Sequence, residues 1–183
     1  MKTSYLFLAE GFEEIEALAT VDILRRAGIE VRTVSVTDEI NVVGAHGIEV
    51  SADELLEFVI GEEMEWIIIP GGMPGASNLA SCRELTDKIL AHNSRGGRIA
   101  AICAAPAVVL APLGLLDGKE AICYPGFESA MKGTRIAEKP VVVCDNIITA
   151  NGPGSAPAFA LEIVSQTLEV AKAQTVAEGM LIK

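Results

Sequence analysis

One stretch decides the fold: GRIAAICAAPAVVL at residues 97–110. An apolar strand pattern ends at Cys103, and a helical pattern with Pro106 in its first turn follows directly. A strand that feeds a helix through a tight turn projects the turn residue above the sheet edge, where backbone amides point at its side chain. Cys103 is therefore placed like a nucleophile. A small apolar core residue is an equally good interpretation, because free cysteines are commonly buried for packing alone.

Strand and helix patterns alternate on both sides of this stretch. A strand at 3–9, a helix at 13–27 and a strand at 30–36 form one unit, and 66–70 is a continuous apolar strand. A hairpin is predicted at 41–50, a short helix at 53–58 and a helix at 106–113. This alternation indicates an α/β fold with a mainly parallel, doubly wound sheet. At 183 residues the chain is long enough for one well-filled core, so we expect a single domain over residues 1–183.

The composition excludes several kinds of partner. The net charge of −11 argues against a nucleic-acid or anionic membrane surface, because both need concentrated Lys and Arg. The first apolar run is followed at once by glutamates, which a signal peptide would not tolerate, and no apolar stretch approaches the ~20 residues of a membrane span. Small molecules and proteins remain as partners.

The cysteine and histidine content argues against metal chemistry. Neither of the two histidines, His46 and His92, belongs to a metal-ligand motif, so we expect no metal and no cofactor. The cysteines are far apart without a Cys-x-x-Cys pair, which is unlike a zinc site or a disulfide framework and favours a reducing cytoplasm. They are Cys82, Cys103, Cys123 and Cys144.

Three loops follow the carboxyl ends of predicted strands: a glycine-rich loop at 71–76 that begins with Gly71-Gly72, the turn at Cys103 and the loop at 152–154. In an open parallel sheet these loops should converge on one crevice. Backbone amides of Gly72 and Ala104 could form an oxyanion hole there, and the helix after Cys103 should lower the pKa of its thiol. An ordinary tight turn explains the Gly71-Gly72 loop equally well when it is taken alone.

A nucleophilic cysteine needs a group that manages its proton, and neither histidine follows Cys103 in the chain. Glu16 lies inside the first predicted helix and shares a face with Ile23 at helical spacing, so it could turn inward. A buried glutamate tends to stay protonated and can donate a hydrogen bond to a thiolate. Taken alone, the acidic helix start is better explained as a solvated first turn that complements the helix dipole.

The rim of the crevice is predicted to include residues from several loops. His46 reaches it only if the 41–50 hairpin folds over the crevice or over a symmetry partner. The predicted rim residues are Gly71, Tyr124, Gly154, Ser155 and His46.

Four segments together carry a family resemblance: AEGFEEIE at 9–16, PGG at 70–72, AAICAAP at 100–106 and GPGS at 152–155. On these residues the chain resembles the ThiJ/PfpI superfamily, and within it the subfamily of the Parkinson-disease deglycase DJ-one. The resemblance implies a flavodoxin-like three-layer fold and a homodimer. It also implies that Cys103 is the reactive cysteine, Glu16 its protonated carboxyl partner, and Gly72 and Ala104 the amide donors.

Two positions depart from the pattern of this family. Tyr124 stands where close relatives have a histidine, and His46 stands where some have an arginine. The protease-like branch has histidine directly after the cysteine, where this chain has Ala104, so peptidase activity is not expected. Class I glutamine amidotransferases need a later histidine that is missing here. The family also carries an older label of thiazole biosynthesis, and no residue of this chain supports that activity.

Three functions remain open from the sequence. The leading hypothesis is a cofactor-free enzyme of glyoxalase or deglycase type, which acts on 2-oxoaldehydes such as methylglyoxal or on their protein and nucleotide adducts. The alternative is an oxidative-stress sensor or redox-regulated chaperone that works through oxidation of Cys103. The third is a pocket that binds a metabolite without turnover.

Overall fold

The computed structural model describes residues 2–182. The strands in this range are β1 (Ser4–Leu8), β2 (Val31–Ser35), β3 (Asn41–Val43), β4 (Glu49–Ser51), β5 (Glu54–Leu55), β6 (Trp66–Ile69), β7 (Arg98–Ile102), β8 (Glu120–Ala121), β9 (Arg135–Ile136), β10 (Val141–Cys144) and β11 (Ile147–Ala150). The α-helices are α1 (Glu14–Ala27), α2 (Leu56–Val59), α3 (Gly75–Ser81), α4 (Arg83–Ser94), α5 (Ala156–Thr167) and α6 (Val170–Gly179). Shorter helical turns are a π-helix at Pro106–Leu110 and 3-10 turns at Glu128–Ala130 and Pro153–Ser155.

Seven of these strands form the main sheet, in the order β10-β11-β7-β6-β1-β2-β5. Neighbouring strands are parallel except β10 and β11, which form an antiparallel hairpin at one edge. Strands β3 and β4 form a separate hairpin, and β8 and β9 a short parallel pair. The predicted α/β class with a mainly parallel, doubly wound sheet is confirmed.

Alternate residues of the central strands pack on opposite faces of the sheet. In β1, Leu6 and Leu8 join an apolar cluster with residues of α1, α5 and α6, whereas Tyr5 and Phe7 join a cluster with residues of α3 and α4. A parallel strand covered on both faces needs a continuous apolar run. Strand β6, which reads WIII and is fully buried, shows this most clearly. The result is the expected three-layer arrangement.

The strand order has a switch point beside β1. Strand β2 lies on one side of β1 and β6 on the other. The connections that follow β1 and β6 therefore leave the carboxyl edge of the sheet toward opposite faces, where α1 and α3 pack. Open α/β sheets bind their ligands in the crevice at such a point. Strand β7 lies next to β6, which brings Cys103 to this edge.

Helix α1 begins and ends as its sequence predicts. Its N-cap residue is Glu13, whose carboxylate accepts a hydrogen bond from the Glu16 amide, at 2.7 Å. It ends at Gly28, which has a φ of +83° and donates to the Arg25 carbonyl. Carboxylates satisfy free amides at a helix start, and glycine adopts the left-handed conformation at a helix end without steric cost.

Three local predictions are wrong. The segment 53–58 is not all helix, because Glu54–Leu55 pairs with the edge of β2 before the four-residue helix α2 begins. The helix predicted at 106–113 is a five-residue π-helix, in which the Ala111 amide bonds to the Pro106 carbonyl at 2.9 Å. The loop predicted at 71–76 ends early, because α3 begins at Gly75 without a side-chain cap that would mark it in the sequence.

None of the helices within residues 2–182 combines the length and the apolar character needed to cross a bilayer.

Candidate active site

Cys103 occupies a strained turn directly after β7. Its φ is +64°, a left-handed conformation that costs a residue with a side chain roughly 1 kcal/mol or more. Two backbone hydrogen bonds hold this conformation: the Cys103 amide donates to the Ala150 carbonyl at 2.9 Å, and its carbonyl accepts from the Tyr124 amide at 2.7 Å. The residue is 8% exposed. The turn therefore presents a nearly buried thiol at the edge of the sheet.

The loop after β6 approaches this thiol so closely that it needs glycine. A Cβ atom on Gly71 would lie 2.6 Å from the Cys103 Cβ and 3.0 Å from the Ala104 nitrogen. Gly72 has a φ of +86°, and a Cβ there would lie 2.4 Å from the Glu13 nitrogen. Real Cβ atoms do not approach other atoms as closely as 2.4–2.6 Å, so the approach of this loop to the Cys103 turn depends on Gly71, and its approach to the backbone before α1 depends on Gly72.

Two backbone amides face the sulfur, those of Gly72 and Ala104, and both lower the pKa of the thiol by hydrogen bonding. The direction of the Gly72 amide follows from its neighbour. The Gly71 carbonyl accepts a hydrogen bond from the Glu13 amide at 3.0 Å, and in a trans peptide the next N–H points the opposite way. The structure thus brings together the two donors that the sequence predicts for an oxyanion hole.

Glu16 lies against this turn from α1 and is fully buried. Its Oε2 accepts a hydrogen bond from the Gly71 amide at 2.7 Å, and its other oxygen makes no regular hydrogen bond within residues 2–182. Burial raises the pKa of Glu16 to about 7, against the lowering effect of hydrogen bonds from Cys103 and Gly71. A carboxyl group in this environment carries a proton for much of the time at neutral pH.

The glutamates of the helix start are not solvated. Glu13, Glu14 and Glu16 are 6%, 4% and 0% exposed, so the interpretation as a solvated first turn is wrong. The loop after β6 and the 41–50 hairpin cover them. Glu13 is not among the predicted site residues, and its acidic side chain at the N-cap position of α1 is the sequence signal that points to it.

The pKa of the Cys103 thiol is raised, whereas the sequence pattern predicts that it is lowered. Burial, and then the charge and hydrogen bond of the Glu16 carboxylate, raise the pKa of Cys103 to about 12. These causes outweigh the amides of Gly72 and Ala104, and the helix that follows is a short π-helix. Burial is the largest of these causes and the Glu16 carboxylate adds to it, so the thiolate forms most readily when the proton lies on Glu16.

His46 contacts Glu14 instead of Cys103. Its backbone amide donates to Glu14 Oε1 at 2.7 Å, and its Nδ1 lies 2.7 Å from Oε2. Although burial raises it, the pKa of Glu14 is lowered by these hydrogen bonds, and the pKa of His46 is raised by the carboxylate. We call this pair the hairpin latch. It fastens the β3–β4 hairpin to the start of α1.

The latch also belongs to the one group within residues 2–182 whose side chains could together hold a metal ion. Glu13, Glu14 and His46 each offer a ligand atom, and these atoms lie within 4.8 Å of one another. Glu14 and His46 are already satisfied by each other, and the Glu13 carboxylate caps α1. The hydrogen bonds account for the arrangement.

The remaining predicted rim residues are Tyr124, which packs against the 152–155 loop, and Gly154 and Ser155, which belong to that loop. Tyr124 is 45% exposed, and its ring lies where a side chain of Gly152 would project, with Cδ2 3.1 Å from a Cβ built there. Gly154 faces open space, and the Ser155 hydroxyl donates to Asn151 at 2.6 Å instead of capping α5. In this loop Gly152 is the residue that meets Tyr124.

The family is decided by a match along most of the chain. The sequence profile of the DJ-1/PfpI family matches residues 2–166. The chain belongs to the DJ-1/PfpI family. The resemblance to the ThiJ/PfpI superfamily is therefore confirmed.

Members of the DJ-1/PfpI family resemble the chain over most or all of its length. Protein DJ-1 homolog A of Arabidopsis thaliana is 35% identical over 184 residues, which cover 100% of this chain and 47% of that protein. The glutathione-independent glyoxalase DJR-1.2 of Caenorhabditis elegans is 38% identical and covers 87% of this chain and 84% of its own. The solved structure of oxidized Toxoplasma gondii DJ-1 superposes with a TM-score of 0.96 at 40% identity and covers 99% of this chain and 98% of its own.

The chain spans about half the length of the Arabidopsis relatives that it matches. The agreement with the Toxoplasma structure confirms the DJ-1 fold for residues 2–182, with the same three layers. The sequence-predicted pair of Cys103 and Glu16 lies at the carboxyl edge of this fold, beside the switch point in strand order.

Proposed function

We propose that this DJ-1/PfpI family member is a cofactor-free enzyme that converts 2-oxoaldehydes such as methylglyoxal to 2-hydroxy acids. One observation carries the proposal: a buried carboxyl group, Glu16, lies beside Cys103, since a Cβ on Gly71 would be 2.8 Å from Glu16 Oε2 and 2.6 Å from the Cys103 Cβ, and the amides of Gly72 and Ala104 face the sulfur. The Caenorhabditis relative named a glutathione-independent glyoxalase supports the same chemistry.

The first step forms a bond between sulfur and carbon. The Cys103 thiolate attacks the aldehyde carbon, and the electron pair of the C=O bond moves to oxygen. The amides of Gly72 and Ala104 stabilise this oxyanion, which then takes the proton of Glu16 to give a hemithioacetal. Glu16 is left as a carboxylate, ready to act as a base.

The second step moves a proton between neighbouring carbons. Glu16 removes the proton from the former aldehyde carbon, which gives an enediolate with its charge on the former ketone oxygen, and then returns this proton to the former ketone carbon. The hydroxyl proton of the former aldehyde carbon moves to the former ketone oxygen. The aldehyde carbon is oxidised and the ketone carbon reduced, so no external oxidant is needed. The product is a thioester of a 2-hydroxy acid on Cys103. Water hydrolyses it, which restores the thiol and releases the acid.

The same steps serve a deglycase. An adduct of a 2-oxoaldehyde with an amine or thiol carries a carbon at the aldehyde oxidation level, which the Cys103 thiolate can attack while the amine or thiol departs with a proton from Glu16. The substrate class of the proposed enzyme is therefore a reactive carbonyl compound, free or bound to a protein or nucleotide.

The test is lactate formation from methylglyoxal by the wild-type protein and by Cys103→Ala and Glu16→Gln. We expect no activity in the first variant and a loss of roughly 10²–10⁴-fold in the second, the usual contribution of a general acid–base group. Cys144→Ala, a half-buried cysteine on an edge strand, is the matched control and should keep full activity. Unchanged turnover in either Cys103→Ala or Glu16→Gln would contradict the mechanism.

We further propose a homodimer in a reducing compartment such as the cytoplasm. Apolar side chains are exposed on α1 and on the adjoining hairpin, among them Ile15 at 58%, Leu18, Val43 and Ile48 at 53%. A second copy would bury them. The four cysteines are all free thiols, which agrees with a reducing compartment.

A second function is favoured by the oxidized state that is named for the Toxoplasma relative. Peroxide could oxidise the Cys103 thiolate to a sulfinate, with two peroxide molecules reduced to water, and the Glu16 carboxyl could donate to the sulfinate oxygens. Mass spectrometry after graded peroxide tests this role. Selective addition of two oxygens to Cys103 would support a sensor, and equal oxidation of the four cysteines would argue against it.

A further inference from the structure

Tyr124 is held against the reactive turn from two directions. Its backbone amide donates to the carbonyl of Cys103 at 2.7 Å. Its ring lies on Gly152, two residues beyond Ala150, and Ala150 is the residue whose carbonyl accepts the Cys103 amide. The ring therefore stands at the carboxyl edge of β7 and β11, beside the sulfur-bearing turn.

The orientation of the ring is fixed before any ligand binds. Phe127 meets it edge to face, with ring centroids 6.4 Å apart and an angle of 78° between the planes. A Cβ on Gly152 would lie 3.1 Å from the ring, closer than nearly all real contacts, so the glycine leaves the space that the ring occupies. Yet the residue is 45% exposed, which leaves ring surface free to contact a ligand. An ordered aromatic surface binds at a lower entropic cost than a mobile one.

We propose that Tyr124 determines substrate specificity by packing its ring against the substituent on the ketone carbon of the 2-oxoaldehyde. This inference rests on the proposed function and names its preferred substrates: 2-oxoaldehydes with flat apolar substituents, of which phenylglyoxal is the simplest aromatic example. The aldehyde carbon must reach the Cys103 sulfur, so the substituent at the other end of this short molecule extends toward the rim. The exposed surface of the Tyr124 ring offers an apolar contact there.

The test compares kcat/KM for phenylglyoxal and methylglyoxal in the wild-type protein, Tyr124→Ala and Tyr124→Phe. The ratio of the two constants should fall roughly three- to tenfold in Tyr124→Ala, the range expected for one aromatic contact, and should persist in Tyr124→Phe, which keeps the ring. Phe58→Ala is the matched control, because Phe58 is an exposed aromatic residue on α2, 66% accessible and outside the site. Its ratio should equal that of the wild type.

A binding measurement separates failure of this inference from failure of the proposed enzyme. Calorimetric titration with the two products, mandelate and lactate, should show the same loss of preference in Tyr124→Ala without any turnover. If the wild-type protein turns over neither substrate but binds mandelate more tightly than lactate, and Tyr124→Ala loses this preference, the proposed enzymatic activity is refuted and the proposed aromatic contact is supported. If Tyr124→Ala keeps the wild-type ratios in both measurements, or if Tyr124→Phe loses them equally, the inference is overturned.

Discussion

At the residue scale, Cys103 and Glu16 behave as one ionisable unit. Burial raises the pKa of Glu16 to about 7 and that of Cys103 to about 12; the hydrogen bond from the Cys103 thiol lowers the pKa of Glu16, whereas the Glu16 carboxylate raises that of Cys103. In the proposed mechanism a single negative charge of this pair lies either on the carboxylate or on the sulfur. The amides of Gly72 and Ala104 favour the sulfur. A histidine is not required for this arrangement.

Gly71 sets the distance between the two loops of the site, so Gly71→Ala is a sharp test of the geometry. The new Cβ would lie 2.6 Å from the Cys103 Cβ and 2.8 Å from Glu16 Oε2, which forces the loop away from the sulfur. We expect activity to fall about 100-fold or more, because misplacement by about 1 Å costs that much, and stability to fall by about 1–3 kcal/mol.

The control for this change is Gly61→Ala. Gly61 has open space around the position of a Cβ, so activity and thermal stability should stay at wild-type values. Initial rates with methylglyoxal and thermal melts measure both effects. Full activity in Gly71→Ala would show that the close approach of the loop to Cys103 is not needed.

At the element scale, the hairpin latch couples the β3–β4 hairpin to α1, and its strength depends on pH. The raised pKa of His46 means that its contribution is fully present below 6.5 and is lost as pH rises through the folded-state value. The lowered pKa of Glu14 means that its contribution is present above 4.5 and is lost as pH falls. The latch should therefore stabilise the fold most between pH 4.5 and 6.5.

We expect His46→Ala to lower the melting temperature more at pH 5.5, within that window, than at pH 9. Melts of His46→Ala, Glu14→Gln and the double variant at several pH values isolate the coupling between the two side chains. A coupling that is the same at pH 5.5 and pH 9 would contradict the ionic part of the latch.

The sequence could predict the parallel strands and the ends of α1, because apolar runs and capping residues act locally. It could not predict that Glu54–Leu55 joins the sheet edge or that residues 106–110 widen into a π-helix, because pairing partners and turn geometry decide both. The sequence pattern also does not predict that Glu13 and Glu14 are buried. Their burial depends on the hairpin that folds over them, which helical periodicity cannot reveal.

At the scale of the whole molecule, helices cover both faces of the sheet. The exposed apolar residues of α1 and the β3–β4 hairpin remain in contact with solvent in a single chain. The homodimer proposal predicts that Ile15→Arg gives a monomer with an unchanged circular dichroism spectrum, because the charge would be buried in the interface. Val170→Arg is the control, since Val170 is 71% exposed on α6 and does not belong to the apolar set of α1 and the hairpin. Light scattering measures the mass of each variant, and a monomeric wild-type protein would refute the proposal.

The most direct test of the central claim is to locate the covalent intermediate. The protein is mixed with methylglyoxal, quenched in acid during turnover and mapped by tandem mass spectrometry after digestion. The mechanism predicts a substrate-derived adduct on Cys103, which accumulates in Glu16→Gln because the proton transfer between carbons is blocked. If lactate forms while Cys103 stays unmodified, or forms equally well in Cys103→Ala, the proposed chemistry of this site is wrong.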